Sequence, residues 1–132
     1  MRLYALIVIL INSAFGFGQT AEFFVEDPMH KFPKVNEGVQ LKHDFVVFNT
    51  GEAPLVISDA KVSCSCTKVT LPGPVPAGGS AVITVEFDTN GKYYLQDRKI
   101  ILQTNTKKQI EYLRFKAYVI PADEDLDKKK EE

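Results

Sequence analysis

Apolar and polar residues alternate along most of this chain, and a period of two limits the folds that it can adopt. The alternation is clearest in four segments, 39–47, 81–87, 100–102 and 113–119. This period is typical of β-strands that bury one face and expose the other. No segment carries apolar residues at helical spacing over three capped turns. The sequence therefore predicts an all-β protein.

Turn-forming residues separate the alternating segments. Gly and Pro are concentrated at 72–79, and further turns are predicted at 49–52, 90–91 and 105–108. About seven short strands at a spacing of roughly 8 to 12 residues indicate an antiparallel two-sheet β-sandwich of the immunoglobulin type. A small β-barrel is the alternative. The Cys, Trp, Cys framework of antibody domains is absent, so this similarity concerns architecture alone.

The side chains at the inward-facing positions of the predicted strands are expected to form a single core. A change of phase near Ser58 and Asp59 predicts a β-bulge or bend within one strand. The residues on the buried phase are large and apolar, as packing between two sheets requires. We expect the core to contain Phe45, Val47, Ile57, Ile83, Val85, Phe87, Leu102, Leu113 and Phe115.

Composition excludes several classes of protein. Lys and Arg number 16 against 17 Asp and Glu, so the chain lacks the net positive charge that favours nucleic-acid binding. The two Cys cannot form a four-thiolate zinc site or a dense disulfide framework. A hydrophobic core must therefore provide the stability, and 45% hydrophobic residues is ordinary for such a domain.

The N-terminus predicts export. Arg2 precedes an uncharged apolar run at 3–11, and small residues follow. This order is typical of a Sec-type signal peptide, because the run is too short to cross a bilayer as an anchor. We expect cleavage after Gly18, with Gly16 and Ala21 as alternatives, or an uncleaved anchor or buried first strand as the other interpretation. No Cys follows the run, so the prediction is a periplasmic or secreted protein without a lipid anchor.

The predicted organisation is a signal peptide at 1–18, an immunoglobulin-like domain at 19–120 and a tail at 121–132. The tail has nine charges and one large apolar residue. It cannot bury enough apolar surface to offset the entropy of ordering, so we expect it to be disordered, with a docking role as the alternative. A domain of about 100 residues is small, and we expect a monomer.

Several short motifs occur in the order of a known bacterial family. They are the segments 30–38, 45–57, 63–67, 76–78, 83–89 and 104–105. As a set, these motifs resemble the exported proteins of the domain-of-unknown-function family fifteen-seventy-three. The resemblance implies a signal peptide and an immunoglobulin-like sandwich, and it brings no catalytic residue. Pro33 and Ser65 stand where the family usually has Gly. The residues of the family motif are Asn49, Thr50, Gly51, Pro54, Leu55 and Thr67.

Cys64 and Cys66 form the one constellation that suggests specific chemistry. In a strand, both sulfurs would face the same side, with Cα atoms about 6.6 Å apart. That separation is near the upper limit of roughly 6.8 Å for a disulfide, so a disulfide would need a puckered backbone. Exposed free thiols do not persist in an oxidising compartment. Three alternatives follow: buried structural thiols, a local disulfide, or a soft-metal or redox site.

A metal site at these cysteines would need further ligands, because two thiolates do not complete a copper or zinc shell. His43 or His30 could provide one. His43 lies on the apolar phase of its strand, so a histidine at the rim of the core is the other interpretation. The prediction is no cofactor, with copper or zinc as the alternative.

No residue set points to catalysis. Neither His lies near a Gly-x-Ser-x-Gly motif, and Asp59, Asp88 and Asp97 fit turns and strand ends. The aromatic pairs 23–24 and 93–94 could bind a sugar or a peptide, or pack in the core or an interface.

We therefore expect a non-enzymatic module of the bacterial cell envelope that acts in protein interaction or in structure. Its protein partner is unknown and would dock on a side-chain patch or add a strand to a sheet edge. The alternative is a thiol-based protein that binds a soft metal or exchanges disulfides through Cys64 and Cys66.

Overall fold

A computed structural model describes residues 18–124 of the chain, and nine β-strands account for most of this part. A short 3-10 helix at Ala122–Glu124 follows the last strand. No helix in the described part is both long and apolar enough to cross a membrane. The strands are β1 (Phe23–Phe24), β2 (Met29–Lys31), β3 (Val35–Asn36), β4 (Gln40–Asn49), β5 (Ile57–Lys61), β6 (Thr67–Thr70), β7 (Ser80–Asp88), β8 (Tyr94–Thr104) and β9 (Ile110–Ile120).

The strands form two sheets. One has four strands in the order β1-β4-β7-β6, and the other has five, in the order β2-β9-β8-β5 with β3 also paired to β9. The longer strands all pair antiparallel. The short strands β2 and β3 run parallel to β9 instead, and they lie in the five-stranded sheet, which the chain joins after β1. The architecture is an immunoglobulin-like β-sandwich, as the alternation predicts.

The core lies between the two sheets, and it confirms the predicted strand phases. All nine residues of the predicted core are buried. The predicted bulge is also present, since the register of β5 against β8 shifts between Ile57 and Asp59. The prediction for Val39 is wrong: it precedes β4 and is exposed, because the strand begins at Gln40.

Residues 1–17 and 125–132 lie outside the described part, and with them lie the predicted signal peptide, apart from Gly18, and most of the predicted tail. Of the first four tail residues, Pro121 is buried, and the exposed residues 122–124 are held to the domain by hydrogen bonds. The Ala122 N–H donates to Glu37 Oε2 (3.0 Å), and the Tyr94 hydroxyl donates to Glu124 Oε1 (2.7 Å).

Candidate functional site

Asn49 ties three segments together where β4 ends. Its side chain is buried, and Nδ2 donates to the carbonyl oxygens of Ala53 (2.7 Å) and Val75 (3.0 Å). Its Oδ1 accepts from the N–H groups of Gly51 (3.0 Å) and Glu22 (3.2 Å). A buried amide that uses both donors and both acceptor positions holds its surroundings firmly. Asn49 therefore has a structural role.

Thr50 and Gly51, the next two residues of the family motif, allow the N-terminal segment to approach β4. A Cβ at Gly51 would lie 2.6 Å from the backbone nitrogen of Glu22, which is too close for any other residue without a shift of the backbone. The Thr50 N–H donates to the Glu22 carbonyl (3.2 Å), and its Oγ1 donates to Glu22 Oε2 (3.1 Å). Both residues therefore serve to dock β1.

Pro54 and Leu55 complete this corner of the sandwich. Leu55 is fully buried, and its N–H and carbonyl form a two-way bridge with Val75. The Pro54 carbonyl accepts from Asn105 Nδ2 (2.9 Å). The motif shared with the family is therefore a set of packing and hydrogen-bonding residues in this part of the molecule.

Cys64 and Cys66 are joined by a disulfide. They lie in the turn between β5 and β6, not in a strand, and their Cα atoms are 5.2 Å apart. The Thr67 N–H closes the turn by donating to the Cys64 carbonyl (3.2 Å), and the Cys66 N–H donates to Cys64 Sγ (3.1 Å). The turn provides the pucker that a disulfide between such near neighbours requires. Of the three sequence alternatives, the structure has the local disulfide.

The structure does not assemble the hypothetical ligand set of Cys64, Cys66 and His43. The two sulfurs bond each other, and the ring of His43 stacks on that of His30 (centroids 3.6 Å apart). Within residues 18–124, no group of three or more His, Cys, Asp or Glu side chains is placed to hold a metal ion.

The two histidines connect the sheets at one side of the sandwich. His30 belongs to β2 and His43 to β4, and each ring also contacts a phenylalanine edge-on, Phe32 and Phe45 respectively. Partial burial, followed by the nearby charge of His30, lowers the pKa of His43. His43 is thus a histidine at the rim of the core, one of the two interpretations of its sequence pattern.

The predicted aromatic pairs have different positions. Phe23 packs against the core, whereas Phe24 is exposed beside Phe48 on the four-stranded sheet. Tyr93 and Tyr94 are both exposed, and Tyr94 begins β8 with a φ of 61°, a strained backbone conformation for a residue with a side chain.

The outer face of the five-stranded sheet combines exposed apolar side chains with several basic ones. Leu95, Tyr112 and Tyr118 are 61%, 50% and 40% exposed there, although they are large and apolar or aromatic. We refer to this surface as the β8–β9 face. Its outward side chains on β2, β8 and β9 include Lys31, Leu95, Asp97, Lys99, Tyr112, Arg114, Lys116 and Tyr118.

The middle of the β8–β9 face is basic. Four basic side chains, Lys31, Lys99, Arg114 and Lys116, surround one acidic side chain, Asp97. Arg114 donates to Asp97 through both Nε (2.7 Å) and a terminal nitrogen. This hydrogen bonding lowers the pKa of Asp97 and raises that of Arg114. Asp97 also lies opposite Lys116, whereas the residues opposite Lys31 and Lys99 are basic.

This surface is not among the predictions from the sequence, although the alternation in β9 contains part of its pattern. Tyr112, Arg114, Lys116 and Tyr118 occupy every other position of one segment, which places them on a single face of β9. The contribution of β2 and β8 could not be inferred, because it depends on the pairing of segments far apart in the chain.

The topology and the corner at Asn49 define the class of this protein, an immunoglobulin-like β-sandwich domain. More specifically, the chain belongs to the family described as protein of unknown function (DUF1573), whose model matches residues 23–119. The resemblance seen in the short motifs is thereby confirmed.

Solved structures that resemble the chain share its fold at low identity. A protein of unknown function from Porphyromonas gingivalis W83 has a TM-score of 0.68 at 15% identity, over 80% of this chain and 50% of that one. The ASH/PapD-like domain 7 of human CEP192 has a TM-score of 0.59 at 10% identity, covering 78% and 88%. The Caenorhabditis elegans (C.elegans) MSP family member WR4 has a TM-score of 0.54 at 14% identity, covering 74% and 96%.

This chain thus spans half the length of the Porphyromonas protein. No curated protein matches the sequence significantly. At these identities the similarity concerns the fold alone.

Proposed function

We propose that this protein is an exported, non-enzymatic interaction module of the bacterial cell envelope, and that a protein partner docks on the β8–β9 face. The observation that carries the proposal is the exposure of Leu95, Tyr112 and Tyr118 beside basic side chains on one flat sheet. Tyr and Arg are enriched in protein interfaces, and apolar groups gathered on one surface mark sites of association.

Two features support the envelope as the location. The apolar run at 3–11 behind Arg2 has the pattern of a signal peptide. The Cys64–Cys66 disulfide fits an oxidising compartment such as the periplasm, since cytosolic thiols are kept reduced. Export would also bring the β8–β9 face into contact with other envelope proteins.

Site-specific photocrosslinking in the native host tests the docking proposal. A photoreactive amino acid is placed at Tyr112, and the matched control carries it at Val82, which is 43% exposed on the opposite sheet. We expect a covalent adduct of defined mass from position 112 and none from position 82. Adducts only at 82, or none at either position in exported and folded protein, would contradict the proposal.

A thiol-based function is the second candidate, and the size of the disulfide loop favours it. A bond between residues two apart closes a very small ring, so its chain-entropy contribution to stability is only about 1 to 2 kcal/mol. It also links no two distant elements. Because opening this bond would change the fold little, the bond is suited to exchange with a dithiol. In that exchange two electrons and two protons pass to the cysteines, and the dithiol becomes a disulfide.

Reduction of the folded protein distinguishes the two candidates. Dithiothreitol treatment is followed by alkylation and mass measurement, with the Cys64→Ser, Cys66→Ser double variant as a control for the fold. The thiol candidate predicts two alkylated cysteines in folded protein under mild reductant, or stoichiometric copper or zinc once the bond is open. A bond that opens only when the domain unfolds, with no bound metal, excludes this candidate.

A further inference from the structure

We infer that the partner of the β8–β9 face is a polypeptide that presents acidic side chains between two apolar ones. This inference rests on the proposed function and specifies its partner. It follows from the order of the side chains across the face, where apolar groups lie at both ends and basic groups predominate in the middle, with the exposed Met29 of β2 opposite Arg114.

The basic band is continuous across three strands. Lys99 of β8 lies opposite Arg114 of β9, and Lys116 of β9 lies opposite Lys31 of β2. Asp97 neutralises Arg114 through its paired hydrogen bonds. Asp97 also lies opposite Lys116. The ammonium groups of Lys31 and Lys99 are left to attract carboxylates of a partner, and such complementarity guides association and discriminates against basic surfaces.

Apolar groups lie at both ends of the band. Tyr112 is next to Ile101, and Tyr118 is next to Leu95 on the neighbouring strand. The two tyrosines are six positions apart on β9, or about 20 Å at the usual rise of a strand. Aromatic anchors of this kind carry much of the binding energy of protein interfaces. A matching partner therefore places apolar side chains about 20 Å apart, with carboxylates between them.

The contacts of the tyrosine rings favour a polypeptide over an acidic sugar polymer. The Lys99 Nζ lies 4.6 Å from the centre of the Tyr112 ring, and the Lys34 Nζ lies 4.9 Å from that of Tyr118. Sugars stack on bare ring faces, and here each ring already carries an ammonium group in a cation–π contact. A carboxylate of a peptide can pair with these ammonium groups where they lie.

A second copy of this chain would be a poor match for the band. The outer face of the four-stranded sheet carries Lys42 and Lys68 among Asp44, Glu86 and Asp88, so its charges nearly balance. Its apolar side chains Val46 and Phe48 are close together at one end of β4 rather than at two ends. The charge and spacing of the β8–β9 face therefore indicate a different protein.

Designed probes test the inference on the exported protein. The first probe is a twelve-residue peptide with Leu and Phe six positions apart in its middle, about 20 Å in an extended chain, and Glu at alternate positions between them; its matched control has Gln in place of Glu. Oligogalacturonate and phosphatidylglycerol vesicles represent an acidic glycan and an anionic membrane. Binding is measured by calorimetry, and the site is mapped from NMR shifts of backbone amides. We expect the Glu peptide to shift β8 and β9 signals and to bind about tenfold more tightly than the Gln peptide.

Charge reversal on opposite faces is the decisive comparison. Lys31→Glu combined with Lys99→Glu reverses two exposed charges in the band, and Lys42→Glu combined with Lys68→Glu makes the same change on the other sheet. We expect the first pair to weaken peptide binding at least about tenfold and the second to leave it nearly unchanged. Melting temperatures of both variants verify folding, and the unmodified protein should lose affinity as salt is raised.

Three results would overturn the inference: no binding of the Glu peptide, equal loss in both variants, or tighter binding of the glycan or the vesicles. If crosslinks still form at position 112 in such a case, the docking face stands and only the acidic partner is wrong. If no crosslinks form there, the proposed function itself fails.

Discussion

Asn49 shows how one side chain can decide the geometry of a strand end. The strand ladder of β4 stops at this residue, and the corner that follows depends on the four hydrogen bonds of its amide. Loss of the amide leaves the Ala53 carbonyl and the N–H groups of Gly51 and Glu22, all partly buried, without this partner, while the Val75 carbonyl keeps the Leu55 N–H. A polar group left unpaired away from water costs about 1 to 3 kcal/mol. Asn49→Ala should therefore lower the free energy of unfolding by at least about 2 kcal/mol, measured by urea denaturation.

Two neighbouring substitutions serve as controls for Asn49. Asn49→Asp keeps the shape and the acceptors but directs a carboxylate at the carbonyls of Ala53 and Val75, so it should destabilise as much as Ala or more. Thr50→Ala removes only an exposed hydroxyl contact and should cost less than about 1 kcal/mol. Equal effects of Asn49→Ala and Thr50→Ala would show that the corner does not depend on the amide.

Cys64 and Cys66 show why a local alternation of residues can predict a strand that is not formed. Ala60, Val62, Cys64 and Cys66 occupy alternate positions, and this alternation predicts a strand that includes both cysteines. Alternation cannot indicate where a strand stops when the following residues are small, and here β5 ends at Lys61. The predicted Cα–Cα distance in a strand is nearly too long for a disulfide, so a disulfide requires a puckered backbone. The turn at 64–66 provides this pucker.

At the scale of elements, long strands were predictable and short ones were not. The strands β4, β7 and β9 each bury a regular alternating set of side chains, and this pattern is local. The strands β1, β2 and β3 have two or three residues, so no period is visible in them. The parallel pairing of β2 and β3 with β9 depends on a partner about 85 residues away, which no short window of sequence can reveal.

The contact between β2 and β4 should make stability sensitive to pH. Burial and the neighbouring His30 lower the pKa of His43 below its ordinary value of 6.5, while Asp44 and Asp27 act in the opposite direction. Just below pH 6.5 the unfolded chain therefore binds more protons at His43 than the folded one. The stability associated with neutral His43 is present above this pH and is lost as the pH falls.

The lowered pKa of His43 predicts how the melting temperature depends on pH. The melting temperature should fall between pH 7.5 and pH 5.5, and His43→Gln should reduce that fall because it removes the titrating group. His30→Gln should reduce it in part, since it removes the facing charge but leaves the buried ring of His43. An unchanged pH dependence in His43→Gln would rule out the histidine contact as its source.

At the scale of the whole molecule, one core holds the two sheets together. Phe87 is fully buried in β7 and its ring lies 5.2 Å from that of Phe115 on the opposite sheet. Phe87→Ala should cost about 3 to 5 kcal/mol, a large part of the roughly 5 to 15 kcal/mol that stabilises a small domain. Phe48→Ala, on the exposed phase of β4, is the matched control and should cost far less. Similar melting temperatures for the two variants would mean that the strand phases are reversed.

The packing of the domain's first residues limits where the predicted signal peptide can be cleaved. Ala21 is buried, and the Thr20 carbonyl accepts from the N–H groups of Glu52 (2.9 Å) and Ala53 (3.3 Å). The space beside Gly18 is open, since a Cβ built there would meet no atom within 4 Å. Cleavage after Ala21 would remove a buried residue and leave two N–H groups of the Asn49 corner without this acceptor, whereas cleavage after Gly18 or Gly16 leaves the domain intact.

We therefore expect N-terminal sequencing of the exported protein to begin at Gln19 or Phe17. A chain that begins at Glu22 should melt several degrees lower than one that begins at Gln19, because it lacks both the burial of Ala21 and the Thr20 hydrogen bonds. Recombinant chains with the two starts provide the comparison under identical conditions. A natural N-terminus at Glu22 with no loss of stability would show that residues 20 and 21 are dispensable, and a protein that still begins at Met1 would refute the predicted cleavage.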